Sequence, residues 1–209
     1  MKVPGAPVVF VVDDDPAMRD SLRWLIESTG LNVETFGDAQ TFLARIRPEL
    51  PGCLVLDVRM PGMSGLDLQA ELVRRGIGLP TIVVTGHAEV PMAVRAVKAG
   101  AIDFIEKPFS DQLLLDRVRQ GIEMDRLERD GRARRADVLR RMSLLTQRER
   151  EVFDLVVAGR ANKEIAATLR LSPKTVEVHR AHVMEKMQAK TVADLVHMAG
   201  LLEVPTIKR

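Results

Sequence analysis

Five times in its first half the chain repeats one pattern. A short run of aliphatic, often β-branched residues gives way to a polar turn, and then to a segment whose apolar residues recur at helical spacing. The runs are Val8–Val12, Asn32–Phe36, Cys53–Leu56, Thr81–Val84 and Asp103–Ile105. The helical segments are predicted over Pro16 to about Ser28, Ala39–Arg47, Leu66–Arg75, near Met92–Ala99, and from near Ser110 onward. Alternation of this kind implies a parallel sheet with helices on both faces and right-handed connections. The first helix opens at Pro16 with Asp15 as its predicted cap, and turns Met18, Leu22, Leu25 and Ile26 to one side.

What stands at the strand ends narrows the chemistry. The apolar run Cys53–Leu56 stops at Asp57 and passes into a Pro/Gly loop, as a buried strand does when it delivers an acid to the sheet rim. An Asp that merely caps the next helix would look the same at that one position. The other strands also end on polar residues: Asp13 and Asp14 after the first, Thr85 on the fourth and Lys107 on the fifth. In open α/β sheets the carboxyl ends of the strands share one edge, where ligands bind. Three clustered carboxylates repel unless a cation joins them, and Mg²⁺ takes carboxylate oxygens, waters and phosphate. Lys107 offers a point charge for a phosphoryl oxygen and Thr85 a hydroxyl donor. A carboxylate nucleophile beside a divalent ion is suited to forming an aspartyl phosphate.

The motifs Val-Asp-Asp-Asp-Pro, Leu-Asp-Val-Arg-Met-Pro-Gly-Met-Ser-Gly, Val-Thr-Gly-His and Glu-Lys-Pro-Phe stand in the order and approximate spacing of a response-regulator receiver domain, which this half resembles over its whole length. The resemblance implies a flavodoxin-like, doubly wound, five-stranded parallel sheet. It implies Asp57 as phospho-acceptor, and Asp13, Asp14, Asp57 and the main-chain carbonyl of Arg59 as Mg²⁺ ligands. Thr85 and Lys107 would contact the phosphoryl group, and Phe104 would be the switch aromatic, a residue that also suits a plain core position. The stretch Gly86–Phe109 looks like the FixJ-type subgroup, in which the face around the fourth helix and fifth strand serves phosphorylation-dependent dimerisation.

The two halves differ in charge. Residues 1–125 hold 13 basic against 18 acidic side chains, a net −5, whereas residues 126–209 hold 18 against 11, a net +7. An acidic half joined to a basic one suggests two domains with different partners, the basic one favouring a polyanion. The expected division is 1–124, a helical linker over 125–141, and 142–209. The linker's arginines are either a solvated helix face or a DNA-facing patch, and the arm could self-associate or hinge at Gly131. A single cysteine, Cys53, excludes an internal disulfide and suits a reducing cytoplasm. The start, Met1-Lys2-Val3-Pro4-Gly5, is not signal-like and no apolar run reaches spanning length, so no membrane partner is expected.

In the basic half, Thr146 and Glu149 form a capping box and Gly159 suits a helix end. Asn162 is predicted to cap a second, short helix, and Arg170-Leu171-Ser172 turns into a third that runs from Pro173 to about Met187. Two helices on a short turn follow the helix-turn-helix plan, though they would also suit a small structural bundle. On the third helix Val176, Val183 and Met187 share a face, flanked by His179 and Arg180, while Lys174, Glu177, Val178, Ala181 and Glu185 oppose it. Val178 and Ala181 suit thymine methyls, Glu177 a cytosine amino group, and Lys163, Lys174, Thr175, Arg180 and Lys186 suit phosphates.

Residues 143–203 resemble the LuxR/FixJ-type DNA-binding domain, through Leu145-Thr146, Arg148-Glu149, Gly159, Asn162–Ala166, Leu169, Ser172, Lys174–Val176, His179 and Lys186-Met187. That implies an all-α, four-helix domain in which His179 joins the contact set and a helix over about Thr191–Leu202 mediates dimerisation on DNA. His87, His179, His182 and His197 lack zinc-ligand spacing. Together the resemblances imply a non-enzymatic, phosphorylation-activated transcription regulator. Its partners would be a cognate sensor histidine kinase, promoter DNA, a second copy when phosphorylated, and RNA polymerase if it activates. An aspartyl-phosphate hydrolase is the rival reading, but such enzymes carry a second Asp two residues after the nucleophile, where this chain has Arg59. A regulator that binds DNA whatever its phosphorylation state is the other.

Overall fold

The computed structural model describes residues 6–86 and 89–203, so His87 lies outside the described residues. The chain divides into two compact units between Arg129 and Asp130.

The first unit holds β1 (Val8–Val12), α1 (Pro16–Glu27), β2 (Asn32–Phe36), α2 (Ala39–Arg45), β3 (Gly52–Asp57), α3 (Gly65–Arg74), β4 (Thr81–Thr85), α4 (Val90–Lys98) and β5 (Ala101–Glu106). Helix α5 (Asp111–Met142) begins here, continues unbroken through Gly131 and ends in the second unit. The strands are all parallel in the order β2-β1-β3-β4-β5, with Val12 beside Leu56 and Asp57 beside Val84.

Alternation along each strand decides which helices cover which face. Phe10, Val12, Leu54 and Leu56 pack with Phe42 and Leu43 of α2 and Leu68 and Leu72 of α3. Their neighbours Val9, Val11, Cys53 and Val55 point the other way, to Leu22 and Ile26 of α1 and Leu114 and Val118 of α5. Strand β3, buried along its whole length, is hemmed in at both ends by glycine. A Cβ on Gly52 would meet the Val8 carbonyl oxygen at 1.8 Å, and one on Gly65 the Asp57 carbonyl oxygen at 2.0 Å.

The second unit adds α6 (Gln147–Val157), α7 (Asn162–Leu169), α8 (Pro173–Met187) and α9 (Val192–Glu203). Its core gathers Val152, Phe153, Ile165, Val176, Val183, Met187 and Leu195 around Val138 and Met142 from the end of α5. The capping box at Thr146 and Glu149 is present. The second helix is capped differently from expectation. Ala161, not Asn162, is its cap residue, and Glu164 reaches back to accept from the Ala161 amide at 2.8 Å. The Asn162 side chain is engaged elsewhere, accepting from Arg180 Nη1 at 2.8 Å. No helix among the described residues is long and apolar enough to cross a membrane.

Candidate functional site

In this strand order the direction of winding reverses between β1 and β3, and a doubly wound sheet opens its ligand crevice at such a point. Asp13 leaves β1 and Asp57 closes β3, so both carboxylates arrive at that crevice. Both are buried, at 3 % and 7 % exposure. Lys107, just after β5, lies between them, its Nζ donating to Asp13 Oδ2 at 2.8 Å and to Asp57 Oδ1 at 2.9 Å. The remaining oxygens are held by main chain. The Asp15 amide donates to Asp13 Oδ1 at 2.9 Å, and the Arg59 amide to Asp57 Oδ2 at 2.6 Å. The Lys107 amide donates to the Thr85 carbonyl at 2.8 Å, tying the ends of β5 and β4 together. Thr85 is fully buried.

Burial pushes the Asp57 carboxyl above its usual pKa. The Lys107 ammonium pulls against that shift, and the charge of Asp13 adds to it. For Lys107 burial would lower the pKa, but the bonds to Asp13 and Asp57 outweigh it and the pKa is raised. The ammonium is thus the cation that lets two carboxylates share a buried crevice.

Of the predicted site residues, Asp13, Asp57 and Lys107 are brought into direct contact. Asp14 is exposed, because successive residues off a strand point to opposite sides. Among the described residues no three His, Cys, Asp or Glu side chains are gathered closely enough to hold a metal by themselves. The oxygen-only donor pair of Asp13 and Asp57 still suits Mg²⁺, which uses one or two carboxylates and fills the rest of its shell with water and phosphate. Arg59 is exposed at the loop, its guanidinium 3.8 Å from Glu89. Phe104 is half-buried and packs on the cluster of Val58, Leu66, Val83 and Ala96 between the sheet and α4.

In the second unit α8 starts at Ser172, whose Oγ accepts from the Thr175 amide at 3.0 Å. Val176, Val183 and Met187 are buried, while Lys174, Glu177, Val178 and Ala181 are exposed, as is Lys163 on α7. Thr175, His179, Arg180 and Lys186 are half-buried. Two of the predicted phosphate contacts are tied to the domain itself: Arg180 to Asn162, and Lys186 to Glu149 Oε2 at 2.6 Å. His182 Nδ1 is 3.5 Å from the other oxygen of Glu149. The Lys186 bond, aided by the Thr146 amide against the effect of burial, lowers the Glu149 carboxyl to about pKa 2. His179 Nδ1 is buried with no hydrogen-bond partner. Glu149 was visible in the sequence only as a capping residue, since its partner Lys186 lies 37 positions away.

An acid pair bridged by lysine at the switch point of a 2-1-3-4-5 sheet, followed by a helix-turn-helix unit, defines a phospho-receiver joined to a DNA-binding module. Comparison with known proteins agrees. Residues 9–119 match the response regulator receiver domain, and residues 143–199 match the luxR family of bacterial regulatory proteins. The chain is 48 % identical to nodulation protein W of Bradyrhizobium diazoefficiens over 94 % of its length and 87 % of that protein. It is 47 % identical to the transcriptional regulatory protein FixJ of Azorhizobium caulinodans, over 97 % of this chain and 96 % of the other. Among solved structures it resembles the response regulator StyR, with a TM-score of 0.85 and 47 % identity over 93 % of this chain and 98 % of StyR. Full-length FixJ from B. japonicum gives a TM-score of 0.58 at 41 % identity over 93 % and 96 %. The chain belongs to the response regulators that join a receiver to a LuxR-type DNA-binding domain, a family of phosphorylation-controlled transcription regulators.

Proposed function

We propose that Asp57 is the phospho-acceptor of a two-component pair, and that its phosphorylation by a cognate sensor histidine kinase switches the chain to promoter binding. The observation that carries this reading is the Lys107 ammonium bridging Asp13 and Asp57 at the β1/β3 crevice. In the transfer, a carboxylate oxygen of Asp57 forms a bond to phosphorus as the bond from phosphorus to the kinase's imidazole nitrogen breaks. Asp13, Asp14, Asp57 and the Arg59 carbonyl would hold Mg²⁺, which when bound neutralises phosphoryl charge. Lys107 leaves the Asp57 oxygen for a phosphoryl oxygen, and Thr85 donates its hydroxyl to another. Phe104, half-buried at present, turns inward as Thr85 moves. Arg59 stands where a hydrolase of this chemistry would carry a second Asp, which supports a switch rather than an enzyme.

The receiver (1–124) then dimerises, and through the linker (125–141) two copies of the DNA-binding domain (142–209) engage a two-half-site element. Lys163, Lys174, Thr175, His179 and Arg180 contact backbone, and Glu177, Val178 and Ala181 face base edges. Lys186, held by Glu149, reaches phosphate only if that bond is shared. The relatives named FixJ are transcriptional regulatory proteins, which supports a regulator; in this reading it works in the cytoplasm and, as an activator, would engage RNA polymerase. Such a change has to come from differential stabilisation of two receiver states.

The test is the light-scattering mass of the full chain in Mg²⁺, with and without beryllofluoride, beside Asp57→Asn. A doubling of mass in the wild type alone is expected. No change, or the same change in the variant, would remove Asp57 as the control point and leave a constitutive DNA binder.

A further inference from the structure

We propose that Arg141, at the end of α5, is a positioning residue for DNA recognition, clamping the C-terminal end of the recognition helix α8. This rests on the reading of α8 as the DNA-facing helix. Arg141 Nη1 donates to the Met187 carbonyl at 2.8 Å, and Nη2 lies 2.5 Å from Asp137 Oδ2 one turn back. The side chain is only 19 % exposed. Its Nε is buried without a partner, so its hydrogen bonding is sacrificed in part to place the fork at the helix end.

A helix leaves its last carbonyls without intrahelical partners, and a cation there also complements the helix dipole. At the end of α8 the carbonyls of Met184 and Glu185 are taken by the amides of Ala189 and Gln188, and that of Met187 by Arg141. Helix α8 is otherwise fixed by its Ser172 cap, by Arg180 on Asn162 and by Lys186 on Glu149. Val138 and Met142, which flank Arg141 on α5, are both 5 % exposed in the same core as Val176, Val183 and Met187. A second arginine repeats the device: Arg135 Nη1 donates to the Leu201 carbonyl of α9 at 3.2 Å. The end of the linker helix is therefore part of the DNA-reading unit. Since Lys174, Glu177, Val178 and Ala181 ride on α8, the clamp fixes the axis along which they meet a groove. Sites of this kind tolerate only about 0.5 Å or 10–20° of misplacement.

The measurement is the affinity of the full-length protein, in Mg²⁺ and beryllofluoride, for a duplex enriched by the wild type from a random-sequence pool, titrated over salt. Arg141→Ala should weaken binding about tenfold, the worth of one hydrogen bond from a charged group. The slope of log affinity against log salt should stay that of the wild type, because no phosphate contact is lost. Arg141→Lys, which keeps a cationic donor for the Met187 carbonyl but loses the fork, should recover part of the affinity. A slope reduced by about 0.9 would mean that Arg141 touches phosphate directly; that result, or unchanged affinity, overturns the proposal. Should Arg141→Ala fail to fold, Arg141→Lys and Asp137→Asn are read instead, and wild-type affinity in both overturns it equally. Val178→Asp separates the underlying reading. If that variant binds as well as wild type, α8 is not the DNA-facing helix; if it loses binding while the Arg141 variants keep it, only the clamp fails.

Discussion

The two units handle charge in opposite ways. In the receiver the decisive charges are buried at strand ends, where Asp13 and Asp57 share one ammonium at 2.8 and 2.9 Å. In the DNA-binding unit the charges on the outward side of α8 stay in water, and the one buried acid among its described residues, Glu149, is matched by Lys186. Buried charge in low dielectric is costly unless paired, so a new anion there must rearrange its neighbours. Exposed charge is cheap to hold and screened by salt, which suits a partner that is itself a polyanion. One arrangement makes a switch and the other a reader.

The sharpest way to break this comparison is Lys107→Met. It leaves two buried carboxylates side by side, and the receiver transition in calorimetry should lose about 3 kcal/mol. Millimolar Mg²⁺ should restore part of that loss, because the pair needs a cation more than it needs this lysine. A variant as stable as wild type without Mg²⁺ would show that the carboxylates do not depend on the ammonium. Next in size is Arg129→Ala. Arg129 donates to Asp125 at 2.7 Å and to the carbonyls of Pro48 and Leu50, and Asp125, 1 % exposed, accepts from the Gly52 amide at 2.9 Å. Removing the cation leaves Asp125 buried beside the start of β3 and should cost about 2 kcal/mol by denaturation. A loss under about 0.5 kcal/mol would mark the pair as a surface bridge.

The DNA-binding unit supplies the counterpart through pH. Glu149 sits at about pKa 2 against an ordinary 4.5. Its folded pKa is depressed, so its stabilisation is complete above about pH 5 and drains away as pH falls toward 2. Lys186→Met should lower the second calorimetric transition by about 1 kcal/mol near neutrality, the lysine being partly exposed. The gap to wild type should shrink as pH falls through about 2 and close only below it. A gap that is constant with pH would mean that Lys186 acts through packing alone.

The receiver's plan was legible because local signals carry it: apolar runs ending in Asp57, Thr85 and Lys107, and Asp15 before Pro16, whose carboxylate does cap α1. The capping box of Thr146 and Glu149 and the buried stripe of Val176, Val183 and Met187 were equally local. What stayed hidden depends on chain separation. Asp125 meets Gly52 across 73 residues and Lys186 meets Glu149 across 37, and no periodicity reports such pairs. The linker arginines divide for a related reason: several form the solvated face, and others do not. Arg129, Arg135 and Arg141 lie in the same arginine-rich stretch as exposed Arg132, Arg134 and Arg140, and the carbonyls they reach set them apart. Asn162 looked like a helix cap because Asn so often is one, but Glu164 can serve the Ala161 amide from inside the helix and frees Asn162 for Arg180.

The smallest expected effect sharpens the comparison most directly. Lys174 is exposed, and its one partner among the described residues is Glu177, 3.4 Å away on the same helix. A surface pair of this kind contributes little, so Lys174→Ala should move stability by less than about 0.5 kcal/mol. If Lys174 meets phosphate, the same substitution lowers the salt slope of DNA binding by about 1, and weakens affinity alike across sequences. Calorimetry and a salt titration on one variant thus read the two properties apart. A receiver charge such as Lys107 should register chiefly in stability, whereas an α8 charge should register in the salt slope and hardly in stability at all. A Lys174 variant with wild-type slope would place this lysine outside the DNA interface and return the outward face of α8 to ordinary solvated surface.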